Sequence, residues 1–252
     1  MTQSVFSPTV PVTIDSDVEY TVVMQAVDTG GIPLTAGGEI INLEVEDISL
    51  AVPHSAIVAP MTDNGDGTYE ASFTLVATGG GIVSIKAVRY IPCIYAEYYT
   101  KVYNAFDPFT VTGLSYLTQI DSQIQFNWGS GIITPLNHKA NAVIRWAGFI
   151  KSPVSGTVTF LLTCDKEAKF YIDWQQIIYS DKATRTASVT LVENTYYSFA
   201  IEYAEWTIVA HIMLDWNIGD GAGTVPIPAS AFFYDGGSMG TYATVKRSSV
   251  PS

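Results

Sequence analysis

Val143-Ile-Arg-Trp-Ala-Gly-Phe-Ile-Lys-Ser-Pro153, followed after one valine by Ser155-Gly-Thr-Val-Thr-Phe-Leu-Leu-Thr-Cys-Asp-Lys-Glu-Ala-Lys-Phe-Tyr-Ile-Asp173, decides the fold. Val143, Arg145, Ala147 and Phe149 alternate with Ile144, Trp146, Gly148 and Ile150, the two-residue period of a β-strand, and the residues from Lys151 to Gly156 supply a turn. Thr157 to Leu162 predicts a second strand, Cys164 to Glu167 a polar turn, and Lys169 to Ile172 a third strand. Three strands in succession set the expectation of an all-β protein.

Around this stretch, 252 residues leave room for two domains, each with its own core. Charged residues make up 14% and apolar ones 48%, the balance of a folded globular chain. No apolar run reaches the roughly 18 residues that span a bilayer, so no membrane span is expected. Met1-Thr-Gln-Ser-Val-Phe-Ser-Pro8 lacks the basic start and apolar core of a signal peptide. The net charge of -12 is unevenly placed: three basic residues stand against thirteen acidic ones up to Thr112, nine against eleven from Gly113 onward. An acidic surface repels phosphate backbones, which argues against a nucleic-acid partner. All five tryptophans follow Gly113, and that shift in composition suggests a domain boundary there. Cys93 and Cys164 fall on either side of it; two separate buried thiols are the simpler expectation and an interdomain bridge the alternative. None of the eight asparagines begins Asn-x-Ser/Thr, so N-glycosylation has no acceptor.

Before the boundary, short apolar segments separated by turn residues predict a sandwich. Val10 to Ile14 and Glu19 to Val27 read as opening strands, Asp28-Thr-Gly-Gly-Ile-Pro33 as a turn, and Ile40 to Asp47 as a strand with one wet face. Asp63-Asn-Gly-Asp-Gly67 reads as a hairpin turn; a calcium loop of that spacing needs further oxygens and a closing bidentate acid, which are not in place. Thr68 to Leu75 is the next strand, Gly79-Gly-Gly leads into Ile82 to Val88, and Asp107-Pro-Phe-Thr-Val-Thr112 closes the domain. Through Asp63, Asp66, Gly67, Thr68, Tyr69 and Phe73, then Gly81, Val83, Pro108, Phe109 and Val111, this half resembles a filamin-type immunoglobulin-like repeat. Ile91 to Lys101 exceeds the short link of such a repeat and reads as a longer loop or an extra hairpin. Its Tyr95, Tyr98 and Tyr99, with Tyr103, read as strand packing, with an aromatic contact surface as the alternative.

After the boundary, Asp121-Ser-Gln-Ile-Gln-Phe-Asn-Trp-Gly129 precedes the Arg-Trp strand, and Ala187 to Leu191, Tyr196 to Tyr203 and Thr207 to Trp216 supply three more. The row Tyr197, Phe199, Ile201, Tyr203 points at the core. Ile227-Pro-Ala-Ser-Ala-Phe-Phe-Tyr234 ends the region. With Arg145-Trp-Ala-Gly148 and Tyr171-Ile-Asp173, these motifs in this order resemble the PA14 family, β-sandwich modules of toxins, glycosidases, yeast adhesins and large cell-surface proteins. The resemblances together imply two tandem β-sandwich domains: immunoglobulin-like (filamin-type) over residues 1–112, then PA14-like over 113–236. A C-terminal tail, 237–252, follows. Its Thr241, Tyr242, Val245, Lys246 and Arg247 are assembly candidates, a strand that pairs with a neighbouring copy or domain. The alternative is a linker held against the PA14-like domain.

In sugar-binding members of the family two consecutive aspartates hold a calcium ion that grips glycan hydroxyls. The resemblance sets Asp165 and Lys166 on those positions, so one carboxylate is kept and the other becomes an ammonium. Lost ligands and added repulsion weigh against calcium, and no cofactor is expected. Asp165 stays a candidate for metal or ligand, and so does Trp174, which replaces the glycine that follows Tyr-Ile-Asp in the family. His54, His138 and His211 are scattered, no nucleophile elbow or phosphate loop appears, and Asp165 with Asp173 makes a poor pair of hydrolytic acids. The chain is therefore expected not to be an enzyme. It reads as a structural or adhesive module of a cell-surface or extracellular fibre or multidomain assembly, partnered by copies of itself or neighbouring domains. The alternatives are a glycan-binding lectin domain and a ciliary or cytoskeletal scaffold.

Overall fold

The computed structural model describes residues 3–6, 13–15, 17–28, 30–47, 57–75, 81–101, 108–111, 114 and 116–247; for 3–6, 13–14, 46–47, 57–58, 81 and 236–247 it describes the backbone alone. The chain is all-β, with one turn of 3-10 helix at Ala229–Ala231 among these residues. Two compact units divide it: residues 1–91 with 235–252, and residues 92–234.

The first unit contains β1 (Gln3–Phe6), β2 (Thr13–Ile14), β3 (Glu19–Val27), β4 (Ile41–Asp47), β5 (Ile57–Pro60), β6 (Thr62–Asp63), β7 (Thr68–Thr74) and β8 (Gly81–Ile91). One sheet has the order β1-β3-β7-β6, and in the other β5, β4 and β8 are neighbours. Along β7 the side chains alternate strictly, with Tyr69, Ala71 and Phe73 buried and Glu70, Ser72 and Thr74 exposed. The buried rows of both sheets meet in one core that includes Met24, Leu43, Tyr69, Phe73 and Ile85. The Asp63 hairpin turn is as expected: Asp63 Oδ1 accepts from the Gly65 N–H at 2.8 Å and Asp66 Oδ1 from the Thr68 N–H at 2.9 Å. Asp63 Oδ2 also accepts from the Gly38 N–H at 2.6 Å, so the acids of this turn are engaged by backbone donors.

The second unit begins with β9 (Ile94–Thr100) and β10 (Tyr116–Asp121), then β11 (Gln125–Gly129), β12 (Ala142–Lys151), β13 (Gly156–Cys164), β14 (Glu167–Ile172) and β15 (Gln175–Asp181). β16 (Thr184–Leu191), β17 (Tyr196–Glu205), β18 (Ala210–Asn217) and β19 (Val225–Pro226) complete it, with the start of β20 (Phe232–Arg247). One sheet runs β15-β14-β17-β12-β9-β10 and the other β11-β18-β13-β16, with β19 on β18. Trp146, Phe160, Phe170 and Ile201 are among the fully buried side chains of the core between them. The three strands read from Val143 to Asp173 are β12, β13 and β14, each within a residue or two of its expected bounds. Gly148 of the Arg-Trp-Ala-Gly motif allows a close approach: a Cβ there would collide with the backbone carbonyl of Phe233, which pairs opposite Phe149.

Three features differ from the sequence reading. The division of the chain lies at Ile91/Pro92 rather than near Gly113, because the tyrosine-rich segment is β9, hydrogen-bonded to β12 and β10. Phe109 and Val111, expected to close the first domain, pack instead with Tyr99, Val143 and Ala204 of the second unit. Residues 237–247, read as part of a tail whose strand pairs with a neighbouring copy or domain, are the later part of β20, which lies beside β8 and runs parallel to β2 of the first unit, with Thr13 opposite Lys246 and Ile14 opposite Arg247. The first unit thus has one sheet of order β1-β3-β7-β6 and another of order β5-β4-β8-β20. The second unit is inserted between its last two strands rather than following in tandem. Cys93 and Cys164 are free, buried thiols. His54, Tyr103, Asp107, Gly113 and the Val10 end of the first expected strand lie outside the described residues.

Candidate functional site

Asp165 and Lys166 form the turn between β13 and β14. Asp165 Oδ1 accepts from the Tyr203 hydroxyl at 2.6 Å and from the backbone N–H of His211 at 2.9 Å. Its Oδ2 is buried, and among the described residues no N–H or hydroxyl donor reaches it. The neighbour that can share a proton with it is Glu205, itself buried, with the Tyr203 hydroxyl 2.9 Å from its Oε2. Burial and then the contact with Asp165 push the Glu205 carboxyl up to about 7, against the pull of the Thr207 N–H and hydroxyl on Oε1. Burial first, then Glu205 and Asp165, push the Tyr203 phenol far up, so it remains a donor. The Lys166 ammonium lies 5.9 Å from the centre of the Trp206 ring.

This arrangement does not fit the calcium ion implied by the family resemblance. Such an ion takes six to eight oxygens. Here one carboxylate oxygen already accepts two hydrogen bonds, the nearest second acid holds a proton near neutrality, and the adjacent residue is a cation. Among the described residues no three His, Cys, Asp or Glu side chains are grouped to hold a metal. The Asp165/Asp173 acid pair fails for a separate reason. The strand β14 lies between them, about 20 Å of extended chain, whereas hydrolytic carboxyls stand roughly 5–9.5 Å apart. Asp173 Oδ1 instead accepts from the Ser198 N–H at 3.1 Å and hydroxyl at 3.2 Å.

Trp174 belongs to a different place. Asp173 and Trp174 form the two-residue turn from β14 to β15, with φ of 47° and 64°. Trp174 is 74% exposed and borders a cavity of about 490 Å³ on the outer face of the β9-β12-β17-β14 sheet. The register builds that cavity. Ala147 lies opposite Tyr95 on β9 and Ala200 on β17, and Ala200 lies opposite Tyr171 on β14. One row across four strands therefore reads Tyr95, Ala147, Ala200, Tyr171: two small residues as a floor between two aromatic walls. The next row reads Glu97, Arg145, Glu202, Lys169. In it Arg145 Nη2 donates to Glu202 Oε1 at 2.9 Å and to the Phe109 carbonyl at 3.1 Å, and Lys169 Nζ is 3.8 Å from Glu202. Tyr95 stacks on Tyr234 with ring centres 5.0 Å apart.

Behind this face, Asp121 anchors the Arg-Trp strand. Its Oδ2 accepts from Trp146 Nε1 at 2.8 Å and from the Tyr98 hydroxyl at 2.7 Å. Tyr98 is fully buried, as strand packing of the tyrosines requires, whereas Tyr95 is turned to the other face. The backbone of Thr241, Tyr242, Val245, Lys246 and Arg247 lies in β20; their side chains fall outside the described residues. Glu205 and the alanine floor were missed by sequence reasoning. The signal for Glu205 was present, since the core-facing row from Phe199 through Ile201 and Tyr203 reaches it at the same two-residue period.

The fold compares with several solved structures. An anti-sigma factor domain-containing protein is 14% identical, over 86% of this chain and 84% of that one, with a TM-score of 0.52. The Epithelial Adhesin 6 A domain from Candida glabrata, in complex with Galβ1-3GlcNAc, is 15% identical, over 59% of this chain and 89% of that one, with a TM-score of 0.50. The PA14 domain of the MpAFP antifreeze protein is 15% identical, over 59% and 93%, with a TM-score of 0.48. The first two are likenesses of fold. Comparison with curated proteins gave no match. Residues 95–230, more than half of the chain, match the family model of the PA14 domain, and the chain belongs to the PA14 family.

Proposed function

We propose that the chain is a non-catalytic adhesive or structural module of a cell-surface or extracellular assembly, its PA14 unit carried between the last two strands of a sandwich of filamin type. The observation that carries this reading is the closed Asp165 turn. Where the family resemblance implies a metal that grips sugar, this chain has a buried Asp165–Glu205 pair, a tyrosine hydroxyl and the Lys166 ammonium. The filamin-type assignment is supported by the strand orders of the first unit, and an adhesive role by the broad strand faces, which need no reaction centre. Partners on this reading are copies of the chain or neighbouring domains. The sugar named with the Candida glabrata domain belongs to that protein, and a calcium lectin is the rival reading here.

Beads coated with the chain test the two. On the module reading they adhere to one another, or to beads bearing adjacent domains, equally well in calcium and in EDTA, and release no chromophore from nitrophenyl glycosides. Adhesion that EDTA abolishes and calcium restores would establish the lectin instead. Glycoside turnover lost on mutation of a named acid would establish an enzyme. A fluorescent fusion expressed in ciliated cells that concentrates along the axoneme, with no surface pool, would move the module to a ciliary scaffold.

A further inference from the structure

We propose that β10 is the docking edge for a second copy of the chain, the two β10 strands pairing antiparallel about a two-fold axis at Thr118. This deepens the adhesive reading by naming its partner and surface, and it rests on that reading for its biological use. The sheets of the second unit end in β15, β10, β11 and β16. Sheet ends are normally guarded by charges, proline or bulges, because their free N–H and C=O groups recruit further strands. β15 and β11 pair with their neighbours through register shifts, and β16 exposes threonines, Ser188 and Arg185. β10 has none of these guards. Its register with β9 is unbroken from Tyr116 to Asp121, and Tyr116-Leu-Thr-Gln-Ile120 carries no charge. Among the described residues no strand pairs on its other side. Tyr116, Leu117 and Ile120 are 49%, 50% and 58% exposed.

The sequence of β10 is complementary to itself. A two-fold axis normal to the sheet keeps every residue on its own face, and set at Thr118 it places Tyr116 against Ile120 of the second copy, Leu117 against Gln119 and Thr118 against its own equivalent. Tyr116, Thr118 and Ile120 share the outer face with Tyr99, Glu97 and Tyr95. The junction on that face is an aromatic against a β-branched residue, twice, and a threonine pair, all favourable cross-strand partners. The Tyr116 ring already rests on that of Tyr99, with 5.1 Å between centres, which lowers the cost of ordering it. Charge singles out this edge as the place where two copies meet. With a net charge of -12, they repel over most approaches. Across the β10 junction the nearest acids on the outer face are the two Glu97 side chains, three strand spacings or about 14 Å apart, beyond the roughly 8 Å screening length of physiological salt. Area sets the strength. A large side chain has about 200 Å² to bury, so three half-exposed ones bring at most about 300 Å² per copy. That is well under the roughly 1,200 Å² of a stable complex, so the pair is weak, and many copies on one surface make weak pairs hold.

Sedimentation equilibrium of the full chain in EDTA, up to about 2 mM, is expected to show a monomer–dimer equilibrium with Kd on the order of 0.1–1 mM. Ile120→Lys, which the axis repeats on both sides, weakens it at least tenfold. Thr118→Lys and Thr118→Glu each weaken it because like charges then face one another, and an equimolar mixture of the two dimerises again. Thr118→Cys gives a disulfide-linked dimer under mild oxidation, since opposite Cα atoms of a strand pair lie about 4.5–5.5 Å apart, and Ser188→Cys on β16 does not. The native Cys93 and Cys164 are buried and do not compete. All the substituted side chains are exposed, so melting temperatures stay close to the native value. A chain monomeric at about 2 mM, a dimer untouched by Ile120→Lys, or a Thr118→Lys and Thr118→Glu mixture that stays apart would each overturn the proposal. So would β10 amides that shift with an unrelated extended peptide while the chain remains monomeric. The two readings fail separately: calcium-dependent bead adhesion would replace the module with a lectin while a dimer in EDTA stands, and a monomeric chain whose beads still adhere would strike this interface alone.

Discussion

Asp121→Ala should destabilise the PA14 unit by about 3–4 kcal/mol. One buried carboxylate oxygen receives both the Trp146 indole N–H and the Tyr98 hydroxyl, and both donor side chains are fully buried. A hydrogen bond to a charged acceptor contributes about 1.5–3 kcal/mol, so two contribute about 3–6. Removing the carboxylate also relieves its own desolvation cost, which trims the loss to the lower part of that range. Asp121→Asn keeps an acceptor and should cost about 1–2 kcal/mol. All five tryptophans lie in the second unit, so urea unfolding followed by tryptophan emission reports on it directly. In a Tyr98→Phe background the cost of Asp121→Ala should shrink by about 1–2 kcal/mol, since one stranded donor is gone. An Asp121→Ala cost under about 1 kcal/mol, or no coupling to Tyr98, would refute the anchor.

Glu205 gives a pH dependence of definite sign. Its folded pKa is raised to about 7, so the fold favours the protonated acid; this contribution is full below the unfolded value of 4.5 and is lost as pH rises through about 7. Glu205→Gln, a permanent mimic of the neutral acid, should flatten that part of the stability profile, as read by melting temperature between pH 4 and 9. Gly148→Ala should cost about 2–3 kcal/mol by driving a methyl into the Phe233 carbonyl, measured by chemical denaturation. Truncation after Tyr234 removes the β20 partner of β8, so limited proteolysis should degrade the first unit and leave residues 92–234 as a resistant fragment.

Local periodicity made the strands legible. Val143 to Asp173 yields β12, β13 and β14 almost to the residue, because alternate burial is written into alternate side chains. What escaped was which strands are neighbours. Tyr95 to Tyr99 look the same whether β9 pairs with the first sandwich or with β12, and the partner depends on Ala142 to Ala147, more than forty residues away. In the 237–252 segment the strand content of Thr241 to Lys246 was legible, but not which strands it joins: residues 237–247 lie beside β8 and their end runs parallel to β2. The candidate site divided in the same way. The loss of the second acid at Lys166 is visible in the sequence alone, but the alanine floor is not. Ala147 and Ala200 acquire meaning only when register places them side by side between two tyrosines.

The parallel pairing of β2 with the end of β20 has a mechanical consequence. Tension entering ahead of β1 and leaving beyond β20 draws those two parallel strands past each other in shear, so the backbone hydrogen bonds of that short pairing are loaded together. The load path then closes through the host sandwich and bypasses the inserted unit, which stays slack until β20 tears away. Whatever residues 92–234 hold would be kept at zero force up to that rupture, and a pulling experiment should record the host's unfolding step before any lengthening from its guest.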